Sequence, residues 1–198
     1  GFDLGLANIV GRQLHALAKE WPAVQKQLRY VGGNRAIPAE MRPFIPRFKP
    51  NNYAQATRDG RAISFNVSWF GDAARFRQQL GRDVLGGWHP SMKAEEMVAS
   101  IASHEWGHQV DNLLRSAPFG ARVTSAVAPS GVGHVRETYP LWRERNPFSG
   151  SAISDYARKN EFEAFAESYA AIRHGDSAAR SHPWARKVRT LLAEIGPE

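Results

Sequence analysis

His104-Glu105-Trp106-Gly107-His108 constrains this chain more than any other five residues, because it lies inside an uninterrupted helical stretch, Ala94 to Leu114. A helix turns about 100° and rises about 1.5 Å per residue, so His104 and His108 stand one turn apart on nearly the same bearing. Both imidazoles can reach one ion. Glu105 falls roughly a quarter-turn round, too far to be a third ligand from that helix but placed to hold a water at the metal. Zinc lowers the pKa of its water to about 7, so a neighbouring carboxylate can take the proton. The spacing encodes two ligands and a general base. Ala99, Ala102, Trp106, Val110, Leu113 and Leu114 form an apolar arc that predicts packing against a core, and the histidines fall outside it.

A third ligand must come from elsewhere. Asp111 shares the histidine face but lies about 10 Å along the axis from His104, beyond a short side chain in an unbroken helix. A chain that bends back after the second histidine, the metzincin pattern, needs Gly at position 111 and His at 114; here they are Asp and Leu. Further on, a second helical stretch carries Glu163 and Glu167 four residues apart, on a face with Ala166, Ala170 and Ala171. Phe162, Phe165, Tyr169 and Ile172 take the opposite arc. Two carboxylates among small residues predict close approach to another helix.

The run Ser154-Asp155-Tyr156-Ala157-Arg158-Lys159-Asn160-Glu161-Phe162-Glu163-Ala164-Phe165-Ala166-Glu167, preceded by His104-Glu105-Trp106-Gly107-His108-Gln109-Val110-Asp111, resembles one group of gluzincin-type zinc metallopeptidases. That group comprises the catalytic domain of anthrax lethal factor and related bacterial or phage-encoded toxin-like zincins. The resemblance spans roughly residues 61–173. It implies a gluzincin fold, Glu163 as the third Zn²⁺ ligand and Tyr156 as the hydroxyl that steadies the oxyanion. Elementary chemistry agrees on the last point. Amide hydrolysis builds negative charge on the carbonyl oxygen, and a preorganised donor aimed there is a large catalytic term. Glu167 and Asp111 are then candidates to accept the remaining N–H groups of the ligand histidines.

The expected architecture is α+β and zincin-like, mostly helical with a small twisted sheet, in one domain: a helical and extended N-terminal part (1–50) and a catalytic core (61–173). With 198 residues and 42% hydrophobic content, one core can be filled. The absence of cysteine excludes disulfides and thiolate-held zinc. No stretch approaches the ~20 apolar residues of a membrane helix. Gly1 to Val10 carries Asp3 and no basic region ahead of an apolar run, so it does not read as a secretion signal. Delivery as part of a larger secreted or phage-borne polypeptide fits that. The net charge is +7, yet the basic residues are dispersed, which makes nucleic acid an unlikely partner and a protein or peptide the expected substrate. The rival reading is a metal-stabilised binding or structural module of a phage particle or toxin polypeptide, without catalysis.

Elsewhere, residues 2–29 read as helical with a break at Trp21-Pro22, and Ile37 to Pro50, with four prolines, as an extended loop. Arg61 to Phe70 alternates as a strand, the candidate edge for pairing with substrate. Ala73 to Leu80 and Trp184 to Ile195 read as helices, His134 to Arg145 as a further helix, and Ser91 as a helix cap. Pro118, Gly120, Pro129, Gly131 and Gly133 mark loops suited to substrate selection. His89, a lone histidine beside a turn, is assigned no role.

Overall fold

The computed structural model describes residues 1–116, 124–127, 134–137 and 139–195. Helix α1 (Leu4–Glu20) starts where Asp3 accepts the Leu6 N–H at 3.0 Å and buries Leu6, Val10, Leu14 and Leu17 along one stripe. Pro22 opens α2 (Pro22–Gln27), where its missing N–H costs nothing. The expected break therefore falls at Trp21.

Three strands follow: β1 (Tyr30–Gly33), β2 (Ala54–Ala56) and β3 (Ala62–Phe65), ordered β1-β3-β2, with β1 parallel and β2 antiparallel to β3. The strand expected over 61–70 stops at Phe65. Asn66 accepts the Ser68 N–H at 3.1 Å and turns the chain into α3 (Val67–Phe70), a local bond that outcompetes the ladder. β3 is paired on both sides and buried throughout, so it cannot be the free edge. The edges of this sheet are β1 and β2.

Helix α4 (Ala73–Leu85), capped by Asp72, runs five residues further than its apolar pattern, and Leu85 ends it in solvent. Ser91 does not cap the next helix; its hydroxyl donates to Asp176 at 2.6 Å, and a 3₁₀ turn at Ala94–Glu96 leads instead into α5 (Met97–Arg115). Residues 134–137 are not helical. They form β5 (His134–Glu137), paired antiparallel with β4 (Thr124–Val127), and the helix begins later as α6 (Tyr139–Arg145). The partner strand makes the difference, and nothing in 134–145 alone announces it. The loop markers from Pro118 to Gly133 lie outside the described residues. The chain continues through α7 (Glu161–His174), α8 (Ser177–Ser181) and α9 (Pro183–Ile195). The whole is an α+β arrangement in which helices dominate, and among the described residues no helix is long and apolar enough to cross a membrane.

Helix α5 is the axis. Its apolar arc is buried from Ala102 to Leu114, with Ala99 half-buried, and most of its opposite face is buried too, against α1, β2 and above all α7. Gly107 permits the α7 contact: a Cβ there would stand 3.1 Å from the Ala166 Cα and 3.1 Å from the Tyr169 Cβ. Small residues on both helices thus bring the Glu163 face over the histidines. Two buried polar groups lock the frame. Gln13 donates to the Ser103 hydroxyl at 2.9 Å, Ser103 meets His174 Nε2 at 2.8 Å, and His174 Nδ1 meets Glu96 at 2.7 Å, joining α1, α5 and α7. On the far side Asp111, fully buried, accepts from Tyr139, from Arg115 Nε at 3.0 Å and from Arg143 at 3.4 Å, while Arg143 also reaches Glu161 at 2.9 Å.

Candidate metal centre

Helix α5 presents His104 and His108 on consecutive turns. Asn160, at the head of α7, accepts the Glu163 N–H at 3.0 Å and so fixes where that helix begins and where Glu163 projects. His104 Nε2 and His108 Nε2 lie 3.2 Å apart, and Glu163 Oε2 is 3.2 Å from the first and 3.1 Å from the second. These three atoms form a nearly equilateral triangle. Ligands of a tetrahedral zinc with bonds of about 2.0 Å stand about 3.3 Å apart, so the triangle has the size of one face of such a site. Two ring nitrogens and a carboxylate oxygen also supply the hardness zinc accepts. Among the described residues, this is the group of three or more His, Asp or Glu side chains whose ligand atoms converge. The donor set fits a zinc ion.

Glu167, one turn beyond Glu163, lies behind His104. Its Oε1 is 2.6 Å from His104 Nδ1, close but poorly aligned for a linear hydrogen bond. The same carboxylate accepts from the Ser154 hydroxyl at 2.8 Å and faces His89 Nδ1 at 3.3 Å. Of the two carboxylates expected behind the histidines, Glu167 is the one that lies against an imidazole. Asp111 is not: the oxygens expected to hold a histidine are taken by Tyr139, Arg115 and Arg143. It keeps the histidines' bearing but lies about 10 Å along the axis from His104, within reach of the α6 cluster instead.

Glu105 is buried beside the triangle, and its Oε2 has no hydrogen-bond partner among the described residues. Burial raises its pKa; the neighbouring imidazoles and the Ala56 backbone N–H offset only part of that. A carboxylate lifted in this way is a better base near neutrality than a solvated one. Tyr156 opens a 3₁₀ turn (Tyr156–Lys159) just ahead of α7, with its ring centroid 5.6 Å from that of His104. Burial, reinforced by the charges of Glu163, Glu105 and Glu167, pushes its pKa far up, so the phenol keeps its proton. Burial works against a charged His104, but Glu163 and Glu167 outweigh it and hold its pKa well above the ordinary value in the metal-free protein. Against burial, His104 and His108 hold the Glu163 pKa down, and His89 with His104 holds that of Glu167 down. A bound cation competes with the His104 proton for the same pair of electrons.

The triangle, Glu105 and Tyr156 line one cleft of about 180 Å³ between β2 and the start of α7. Three features of it escape the sequence. His89 is buried, with its ring 5.7 Å from that of Tyr156, so it backs both Glu167 and the phenol. Ser154 supports Glu167. Strand β2 forms a wall, though only three residues long. The quoted motif contained Ser154, and a hydroxyl two residues before Tyr156 was a usable signal; His89 and β2 gave none. Known family models, characterised proteins and solved structures yield no match to this chain, so its functional reading rests on the geometry just described.

Proposed function

We propose that the chain is a zinc-dependent endopeptidase of gluzincin type, with a zincin-like core, acting on a protein or peptide substrate. One observation carries the reading: three potential ligand atoms set 3.1–3.2 Å apart share a cleft with a buried carboxylate, one of whose oxygens has no partner among the described residues, and a protonated phenol. His104, His108 and Glu163 would hold the ion. When bound, zinc acidifies a water and polarises the substrate carbonyl.

The protein groups account for the rest. Thr57 N–H bonds the Ala62 carbonyl at 2.9 Å and Asn66 N–H bonds the Tyr53 carbonyl at 2.8 Å, so the groups of Ala54 and Ala56 alternate away from β3. Ala56 N–H supports Glu105. An extended peptide can lie beside β2 as an added strand, held by main-chain bonds that do not depend on its sequence. Glu105 takes the proton from the attacking water and returns it to the leaving amine. Tyr156 donates its O–H to the carbonyl oxygen as negative charge develops there. Glu167, braced by Ser154, keeps the His104 ring and its tautomer in place.

The deciding experiment compares wild-type protein with Glu105→Gln, both zinc-loaded, on an unfolded protein substrate. Cleavage should fall by about 10²–10⁴-fold in the variant. Equal cleavage, or none by either with zinc bound, would favour a metal-stabilised module without catalysis.

A further inference from the structure

The charge of +7 finds no use in a centre whose own uncoordinated acid is Glu105. Around the cleft most acids are paired with a cation: Asp59 with Arg61, Asp155 with Arg158 and Glu161 with Arg143. Asp83 keeps its charge, accepting only from the neutral Tyr53 and Gln79; it shares the second depression with two lysines, which outnumber it. The cations on the walls differ. Arg58 lines the metal cleft beyond the Ala56 end of β2. At the other end, past Ala54, a second depression of about 690 Å³ opens, sharing Asn52 and Tyr156 with the cleft and lined by Lys49 and Lys159. None of these three cations meets a carboxylate among the described residues. Lys159 Nζ sits 3.8 Å from the centroid of the Tyr156 ring and 5.0 Å from that of Trp88, contacts that anchor the amine and leave its charge uncancelled.

We propose, building on the peptidase reading, that the cleft selects an acidic peptide segment. An antiparallel strand added to β2 runs from the Arg58 end towards Asn52, so side chains after the cut bond meet Lys49 and Lys159 and those before it meet Arg58. Separated cations along a strand edge suit separate carboxylates. A phosphate backbone needs an unbroken cationic track, and here the metal cleft separates Arg58 from the two lysines, which favours peptide over nucleic acid.

The test uses zinc-loaded Glu105→Gln protein and fluorescent peptides of one neutral host sequence carrying Glu, Ser or Lys on both flanks. The Glu peptide should bind about tenfold tighter than the Lys peptide, and the margin should shrink with salt. Lys49→Glu with Lys159→Glu should reverse the order, and Lys49→Glu alone, which leaves the Lys159–Tyr156 contact intact, should narrow it. Equal binding of Glu and Ser peptides, a preference untouched by these substitutions, or a DNA oligonucleotide that outcompetes the Glu peptide would overturn the inference. Digestion of a random peptide library by the wild type separates the two readings. Glu105-dependent cleavage without acidic enrichment removes the acidic selectivity alone. Absence of such cleavage removes the peptidase, while the binding measurements still decide the charge preference.

Discussion

In the proposed mechanism Tyr156, Glu163 and Glu167 do different work, and single substitutions separate them. Tyr156 touches no ligand atom, so Tyr156→Phe should keep the zinc while losing about 10²-fold or more of kcat, the usual cost of one oxyanion donor. Undiminished turnover, with zinc confirmed by metal analysis, removes the phenol from the mechanism. Glu163 supplies a corner of the triangle, whereas Glu167 acts through His104. Glu163→Ala should lose most of the metal, and Glu167→Ala should weaken binding by about 10–100-fold, as substitution of an orienting carboxylate does. A zinc titration giving the reverse order would mean that Glu167 is the ligand. At this scale the sequence was informative, since His104, Glu105, His108, Tyr156 and Glu163, singled out from it, line one cleft. Asp111 shows the limit. Its helical bearing was right, but bearing says nothing of competitors, and Tyr139 and Arg143 arrive from a helix whose position no local pattern encodes.

Between elements, the contact of α5 with α7 makes the site. Gly107 and Ala166 let the backbones approach, and a Cβ at position 107, 3.1 Å from the Ala166 Cα and the Tyr169 Cβ, must displace these neighbours by a few tenths of an ångström. Gly107→Ala should therefore lower stability by about 1–3 kcal/mol, the range for overpacking a well-filled core. Zinc affinity should fall with it, because Glu163 retreats from the histidines. A thermal melt and a zinc titration unchanged from wild type would show that the helices tolerate the methyl group and that their closeness is not what sets the triangle. The alanines of α7 announced this approach in the sequence. The sheet was harder to read. Residues 61–70 alternate well enough for a ten-residue strand, but Asn66 can satisfy a backbone N–H locally and ends it at Phe65. The real edge, Ala54 to Ala56, is too short and too plain to carry a periodic signal; it exists because β3 offers it a ladder.

Over the whole molecule the buried charges make stability depend on pH and metal together. In the metal-free protein the His104 pKa lies above its ordinary value of 6.5. The stability contributed by its imidazolium is fully present below about 6.5 and is lost as pH rises through the folded-state value. Glu163 and Glu167 have the opposite sign, with lowered values, so their contribution is present above about 4.5 and is lost as pH falls through the folded-state values. Zinc needs the neutral imidazole, so its stabilisation should grow as pH rises from 6 to 8 while the metal-free protein loses ground. Melting curves with zinc and with a chelator should diverge across that range. Parallel curves would show that the metal does not displace a proton from this centre.

The central claim is a coordination sphere drawn from two helices, and X-ray absorption at the zinc edge on the purified protein reads it directly. One zinc per chain is expected, with two imidazole nitrogens and a carboxylate oxygen at about 2.0–2.2 Å, and with the oxygen contribution altered in Glu163→Ala. A protein that takes up no zinc, or a ligand shell indifferent to that substitution, would contradict it.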